Sequence, residues 1–106
     1  MTSSQKTVNI GKVFSKFPAG RYSADGPASG EKFREDVLRP ILSAGFDLVI
    51  ELDDALGYGS SFLEEAFGGL VRSGFGANEL LRRCHFESYD DSLVEEIRSY
   101  IREAGA

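Results

Sequence analysis

One cysteine, Cys84, and one histidine, His85, set the first limits on what this chain does. A lone thiol forms no internal disulfide, so a reducing, cytoplasmic setting is the default expectation. A lone imidazole leaves a serine hydrolase a single candidate base. That base lies inside an expected strand beside Phe86, where a structural role is the ordinary one. The serines at 60 and 61 lie in Gly57-Tyr58-Gly59-Ser60-Ser61, which lacks the G-x-S-x-G pattern of a nucleophile elbow. Cys84 and His85 are adjacent, so on a strand they point to opposite faces and share no metal. No apolar run approaches the ~20 residues needed to cross a bilayer. The first twenty residues also lack the apolar core of a signal peptide. Basic residues are outnumbered, leaving a net charge of −5 and a pI near 4.8. That balance argues against non-specific binding to nucleic acid or an anionic membrane. No catalytic constellation, metal or cofactor is therefore expected.

The 106 residues suit one domain, 1–106, with a single modest core. TVNIGKVF (7–14) places Val8, Ile10 and Phe14 at even positions and reads as a strand, with Val13 breaking the alternation. FPAGRYSADGPASG (17–30) reads as a loop with a short strand around residues 20–23. Ser29 is the expected cap of a helix carrying Phe33, Val37, Leu38 and Ile41 on one face. Pro40 is expected to kink or restart that helix, because it has no N–H for the preceding turn. FDLVIELDD (46–54) is the clearest strand. Its Leu48-Val49-Ile50 run is apolar on both sides, as in a sheet covered by helices.

A second helix begins at Ser60 and Ser61, and Gly74 supplies its stop. Ser61 and Glu64 fit the S-x-x-E capping box. Gly68 and Gly69 in its middle cost about 1 kcal/mol each relative to alanine, which signals close packing against that stretch. Residues 74–83 read as a turn and short helix, and CHFES (84–88) as a short strand. In DSLVEEIRSYIREA, Leu93, Val94, Ile97, Tyr100 and Ile101 form one helix face. Asp91 or Ser92 is its expected cap, with Glu95 paired to Arg98. Strands alternating with amphipathic helices indicate an α/β fold with right-handed crossovers and a mixed or largely parallel sheet of about four strands.

Three groups of residues bear on function. Asp53 and Asp54, at a strand end, have the chemistry of a Mg²⁺ ligand pair, but such a pair more often makes turns. Arg21, Ser29, Gly30 and Arg34 lie in a glycine-rich loop leading into a helix, which suits a phosphate or nucleotide. The spacing there matches neither the Walker A motif nor the dinucleotide fingerprint. Ser60 and Ser61 have two readings, a helix cap and a phosphorylation site. A phosphate at a helix N-terminus is favoured by the dipole and the free N–H groups.

GSSFLEEAFGGL, following FDLVIELDD and preceded by SGEKFREDVLRPIL, resembles the STAS-like domain family of unknown function. The likeness runs from about Val8 to Ile101 and includes GRYSADGPASGEKFRE. More distantly the chain is similar to the STAS domains of anti-sigma factor antagonists, in which a strand leads to Asp-Ser-Ser-Gly-Leu and a helix. Ser61 matches the serine that a histidine-kinase-like ATPase partner phosphorylates there, and Ser60 is its neighbour. Gly59 stands where that motif has aspartate, and Phe62 where it has glycine. The chain also ends about one strand and one helix short of a full domain of that kind. The resemblance implies a non-catalytic, bacterial-type regulatory interaction module, with docking around Asp53, Asp54, Tyr58, Gly59 and Phe62. The alternative from the residues alone is a nucleotide- or phosphate-binding module using loop 19–34.

Overall fold

The alternating segment near the N-terminus is a strand only as far as Asn9. The computed structural model describes residues 4–106, so residues 1–3 of the single domain expected over 1–106 lie outside the described residues. Strand β1 (Gln5–Asn9) passes directly into one helical turn, α1 (Ile10–Val13), and Asn9 Oδ1 accepts the Lys12 N–H at 3.1 Å. Val13 breaks the alternation because the period changes there from two to 3.6. Ile10 and Phe14, four apart, still share the inward face.

Strand β2 (Asp47–Glu51) runs parallel to β1, and β3 (Cys84–Glu87) runs parallel to β2, in the order β1-β2-β3. Among the described residues the sheet has three strands. The strand expected around residues 20–23 is instead loop, followed by a 3₁₀ turn at Ser23–Asp25 whose aspartate accepts the Tyr22 N–H at 2.8 Å.

Lys6, Leu48 and Cys84 lie in register, as do Val8, Ile50 and Phe86, and these rows face the helices. Thr7, Val49 and His85 form a row on the opposite face, with Asn9, Glu51 and Glu87 at its end. Leu48 and Ile50 are fully buried, whereas Val49 is half-buried and His85 exposed. The apolar run thus does not mark a sheet covered on both faces. Two crossovers of one hand, stepping in one direction, put their helices on a single face.

The first crossover is helix α2, residues 30–43. Ser29 caps it as expected, its Oγ accepting the Lys32 N–H at 3.2 Å. Pro40 neither restarts nor ends this helix. The turn Arg34–Leu38 is widened into π geometry, so that the Arg39 N–H bonds the Arg34 carbonyl five residues back. A wide turn gives the proline ring room beside the carbonyl it would otherwise crowd.

Helix α3, residues 60–72, packs between α2 and the last helix and has its own π turn at Glu64–Gly68. It ends before Gly74, whose φ of 125° suits a residue without Cβ. Helix α4 (Ala77–Arg83) precedes β3, and α5 (Asp91–Ala104) follows it. Asp90, rather than Asp91 or Ser92, caps α5, accepting the N–H groups of Ser92 and Leu93. Glu95 pairs with Arg102 at 3.3 Å, not with Arg98.

A chain of aromatic rings ties the layers together. Phe14 meets Phe33 at 5.0 Å between centroids, Phe33 meets Phe62 at 5.6 Å and Phe67 at 6.4 Å, and Phe67 meets Phe86 at 5.4 Å. Each such pair is worth about 0.5–1.5 kcal/mol beyond its buried area.

Candidate functional site: the rim around the start of helix α3

Past β2 the chain buries Leu52 and then crosses the carboxyl end of the sheet as loop 53–59. Its position is set by polar contacts to three neighbours. Tyr58 Oη donates to the Leu52 carbonyl at 2.6 Å. Burial, and then the nearby charges of Asp53 and Asp54, push the Tyr58 phenol above its ordinary pKa. Asp53 accepts from Ser88 Oγ at 2.6 Å and from the Tyr89 N–H at 3.1 Å. Asp54 accepts from Asn9 Nδ2 at 2.6 Å and faces Lys12 Nζ at 3.8 Å. Both aspartates therefore act as turn and tether residues. Among the described residues no three His, Cys, Asp or Glu side chains converge as metal ligands.

Gly59, with φ −70° and ψ 140°, is the N-cap of α3, and its carbonyl accepts the Leu63 N–H at 3.1 Å. Ser60 and Ser61 occupy the first two helical positions and are exposed. The capping box expected of Ser61 and Glu64 does not form. The helix starts two residues too early for it, with Gly59 rather than Ser61 as N-cap, and the Glu64 carboxylate is held by arginines instead. Ser61→Ala is thus expected to change stability by no more than ~0.5 kcal/mol, the ordinary surface effect, not the ~1 kcal/mol of a lost cap. Ser61→Asp should add about 0.3–1 kcal/mol through the helix dipole. Urea midpoints for the two variants check this, and a clear loss for alanine would restore the cap.

Phe62, expected at a docking surface, is fully buried among Phe14, Phe33 and Tyr58. The ring turns into the core, and the serines before it stay uncovered.

Of the four residues expected to hold a phosphate, the two arginines meet around a carboxylate instead. Arg34 Nη1 donates to Glu65 Oε2 at 2.6 Å and to the Glu65 carbonyl at 2.9 Å. Arg21 Nη1 reaches Glu65 Oε1 at 3.2 Å and also bonds Glu64. Arg72 closes the cluster on Glu64 Oε2 at 2.6 Å. Glu65 is only 8% exposed. Ser29 is buried as a cap, and Gly30 lies against the backbone of Phe62 and Ala66. The residues of the anion-site reading thus have partners within the chain: Arg21 and Arg34 pair with Glu64 and Glu65, and Ser29 caps α2. The Arg34 charge is paired in a nearly buried contact and that of Arg21 in a part-exposed one, and Gly30 makes room for a helix crossing.

The same cluster answers for the paired glycines. A Cβ at Gly69 would collide with the Arg34 guanidinium, and one at Gly68 would stand 2.6 Å from Glu64 Oε2. The close neighbours are ion-paired side chains rather than another backbone.

These pairs make stability sensitive to acid. Hydrogen bonds from Arg39 and then Arg34 pull the Glu35 carboxyl from an ordinary 4.5 down to about 2. Arg72, and then Arg21, also hold Glu64 below its ordinary value. Both groups bind protons more weakly folded than unfolded, so their contribution is present above about pH 4.5 and is lost on acidification, for Glu35 as pH falls toward about 2. Melting temperature should decline through that window, and Glu35→Gln should flatten part of the decline. An unchanged slope in that variant would remove Glu35 from the account.

Beside loop 53–59 lie two hollows that the chemistry of single residues did not signal. One, about 390 Å³, is lined by Asn9, Lys12, Glu51, Asp53, Asp54 and Glu87. The other, about 160 Å³, is lined by Leu52, Ala55, Leu56, Tyr58, Tyr89 and Leu93. Asp53 borders both. An apolar Leu56 inside the turn-rich stretch DDALGYG was the available hint.

A three-stranded parallel sheet with helices packed on it is a layered α/β fold that fits a small STAS-like domain. The chain belongs to the family described as the STAS-like domain of unknown function, whose model matches residues 29–93. The match runs from the cap of α2 to the first turn of α5, a narrower span than the sequence likeness from Val8 to Ile101. No curated protein and no solved structure gives a significant match. No helix among the described residues is long and apolar enough to cross a membrane.

Proposed function

We propose that this domain is a non-catalytic regulatory protein-interaction module of the cytoplasm, docking a protein partner on loop 53–59 and the start of α3. Phosphorylation of Ser61, or of Ser60 beside it, by a histidine-kinase-like ATPase partner switches that docking. The observation that carries the reading is the exposed serine pair at the first two positions of a helix whose next two residues, Phe62 and Leu63, are fully buried. A phosphate there meets free N–H groups and the positive end of the helix dipole, so the fold tolerates it while the docking surface changes charge by about −1.5 to −2.

The experiment is ATP incubation of the chain with a captured partner kinase, read by intact mass and peptide mapping. Phosphate on Ser61 or Ser60, absent from the double alanine variant, is the expected result. Ser61→Asp, which the fold accepts, should change partner affinity at least tenfold, about 1.4 kcal/mol. Unchanged affinity together with no phosphate on either serine would end the switch reading. Turnover of a generic ester or phosphoester by the purified chain would end the non-catalytic one.

A further inference from the structure

The rim carries apolar side chains from three separate loops. Leu56 is 73% exposed, Tyr89 88% and Phe17 67%. Leu56 and Tyr89 border the same hollow. The Leu56 N–H bonds the Lys16 carbonyl at 2.8 Å, which brings Phe17 alongside. These loops are not loose ends, since Asp53 tethers 88–89 and Tyr58 ties its own loop to Leu52. Exposed apolar groups gathered on fixed loops mark an interaction surface, unlike single ones scattered over a protein.

Charge selects among the occupants of that surface. Glu51, Asp53, Asp54, Glu87 and Asp90 border the two hollows, where Lys12 is the one lining cation among the described residues, with Lys16 on the segment beside Leu56. A second copy of the chain, itself at net −5, would bring like charge against like. An anionic lipid surface meets the same repulsion. We infer that the occupant is a basic amphipathic segment of a protein partner: a bulky apolar side chain enters the Leu56–Tyr89 groove, and lysine or arginine side chains beside it reach the acidic hollow. This rests on the interaction-module reading and names the chemistry of its partner. It also gives the serine switch a sign. A phosphate at Ser60 or Ser61 adds to an already negative rim, so it tightens the hold on a basic segment.

The test uses the ¹⁵N-labelled full chain and a synthetic leucine–lysine amphipathic peptide, with a leucine–glutamate peptide of the same pattern as control. Amide shifts from the lysine peptide should concentrate in residues 12–18, 52–61 and 86–93, and the glutamate peptide should give none. The double variant Leu56→Ser/Tyr89→Ser should weaken binding at least tenfold, and so should Glu51→Gln/Glu87→Gln. Glutamine at position 51 keeps the oxygen that accepts from Asn9 Nδ2. Ser61→Asp should tighten binding, and added salt should weaken it. Shifts centred elsewhere, equal binding of the glutamate peptide, or indifference to the Leu56/Tyr89 variant would overturn the inference. Concentration-dependent dimerisation abolished by Leu56→Ser would also overturn it, in favour of a second copy. A native partner that binds this rim through an acidic segment would overturn the inference and leave the interaction module standing.

Discussion

Gly30→Ala is expected to destabilise the domain by about 3 kcal/mol, the upper end of the range for overpacking. For a chain of this size that corresponds to a fall in melting temperature of roughly 12–24 °C. The reason is geometric. A Cβ at position 30 would collide with the Phe62 carbonyl oxygen and stand 3.0 Å from the Ala66 backbone nitrogen and the Glu65 Cβ. Those atoms belong to the spine of α3, so relief requires moving α2 and α3 apart along a crossing that also holds Phe33 against Phe62. Alanine's better helix propensity, worth at most ~1 kcal/mol, does not offset this. Gly68→Ala is the control. Its neighbours are the tips of Glu64 and Arg72, which swing aside, so its effect should stay within ~1 kcal/mol of zero. Thermal denaturation of both variants decides the matter, and equal losses at the two positions would mean that the helix crossing has slack.

Glu65→Ala should cost about 3 kcal/mol, the lower end of the range for removing one partner of a buried ion pair, because Arg34 keeps its contact to Glu35. The Arg34 side chain is 12% exposed and that of Glu65 10%, so neither exchanges its partner for bulk water. With the carboxylate gone, Arg34 keeps Glu35 at 2.7 Å and the Glu65 carbonyl at 2.9 Å, but loses its 2.6 Å ion pair. Arg21 and Arg72 would be left to share Glu64. Replacing both partners, as Arg34→Met/Glu65→Met, should recover most of the loss, because a well-packed apolar pair has no charge to desolvate. Urea denaturation of Arg34→Met, Glu65→Met and the double closes a mutant cycle. A single-variant cost below ~1 kcal/mol would place the pair among solvated surface ion pairs instead.

Gly68 and Gly69 announced crowding on α3, and crowding is there. At Gly68 its agents are Glu64 and Arg72, one turn to either side, but at Gly69 the agent is the Arg34 guanidinium, which belongs to another helix and left no local trace. Gly30 gave no such signal, because a glycine following a helix cap looks like a loop residue until the second helix is set against it.

Local chemistry determined the order of strands and helices, the parallel pairing, the Ser29 cap and the stop at Gly74. Each of these depends on contacts within one or two turns of chain, or on a handedness rule that holds for nearly every crossover. Tertiary structure alone decided the rest. It chose which sheet face stays open, because covering a strand depends on where its crossovers run and not on its own apolar run. It turned Arg21 and Arg34 from apparent anion ligands into ion-pair partners of Glu64 and Glu65, and Phe62 from a surface residue into core. It also set Leu56, Tyr89 and Phe17 beside five carboxylates on one rim. Long-range pairing of charges and loops is set by which groups the packed helices and loops bring together in the folded state, and a linear pattern carries no record of that.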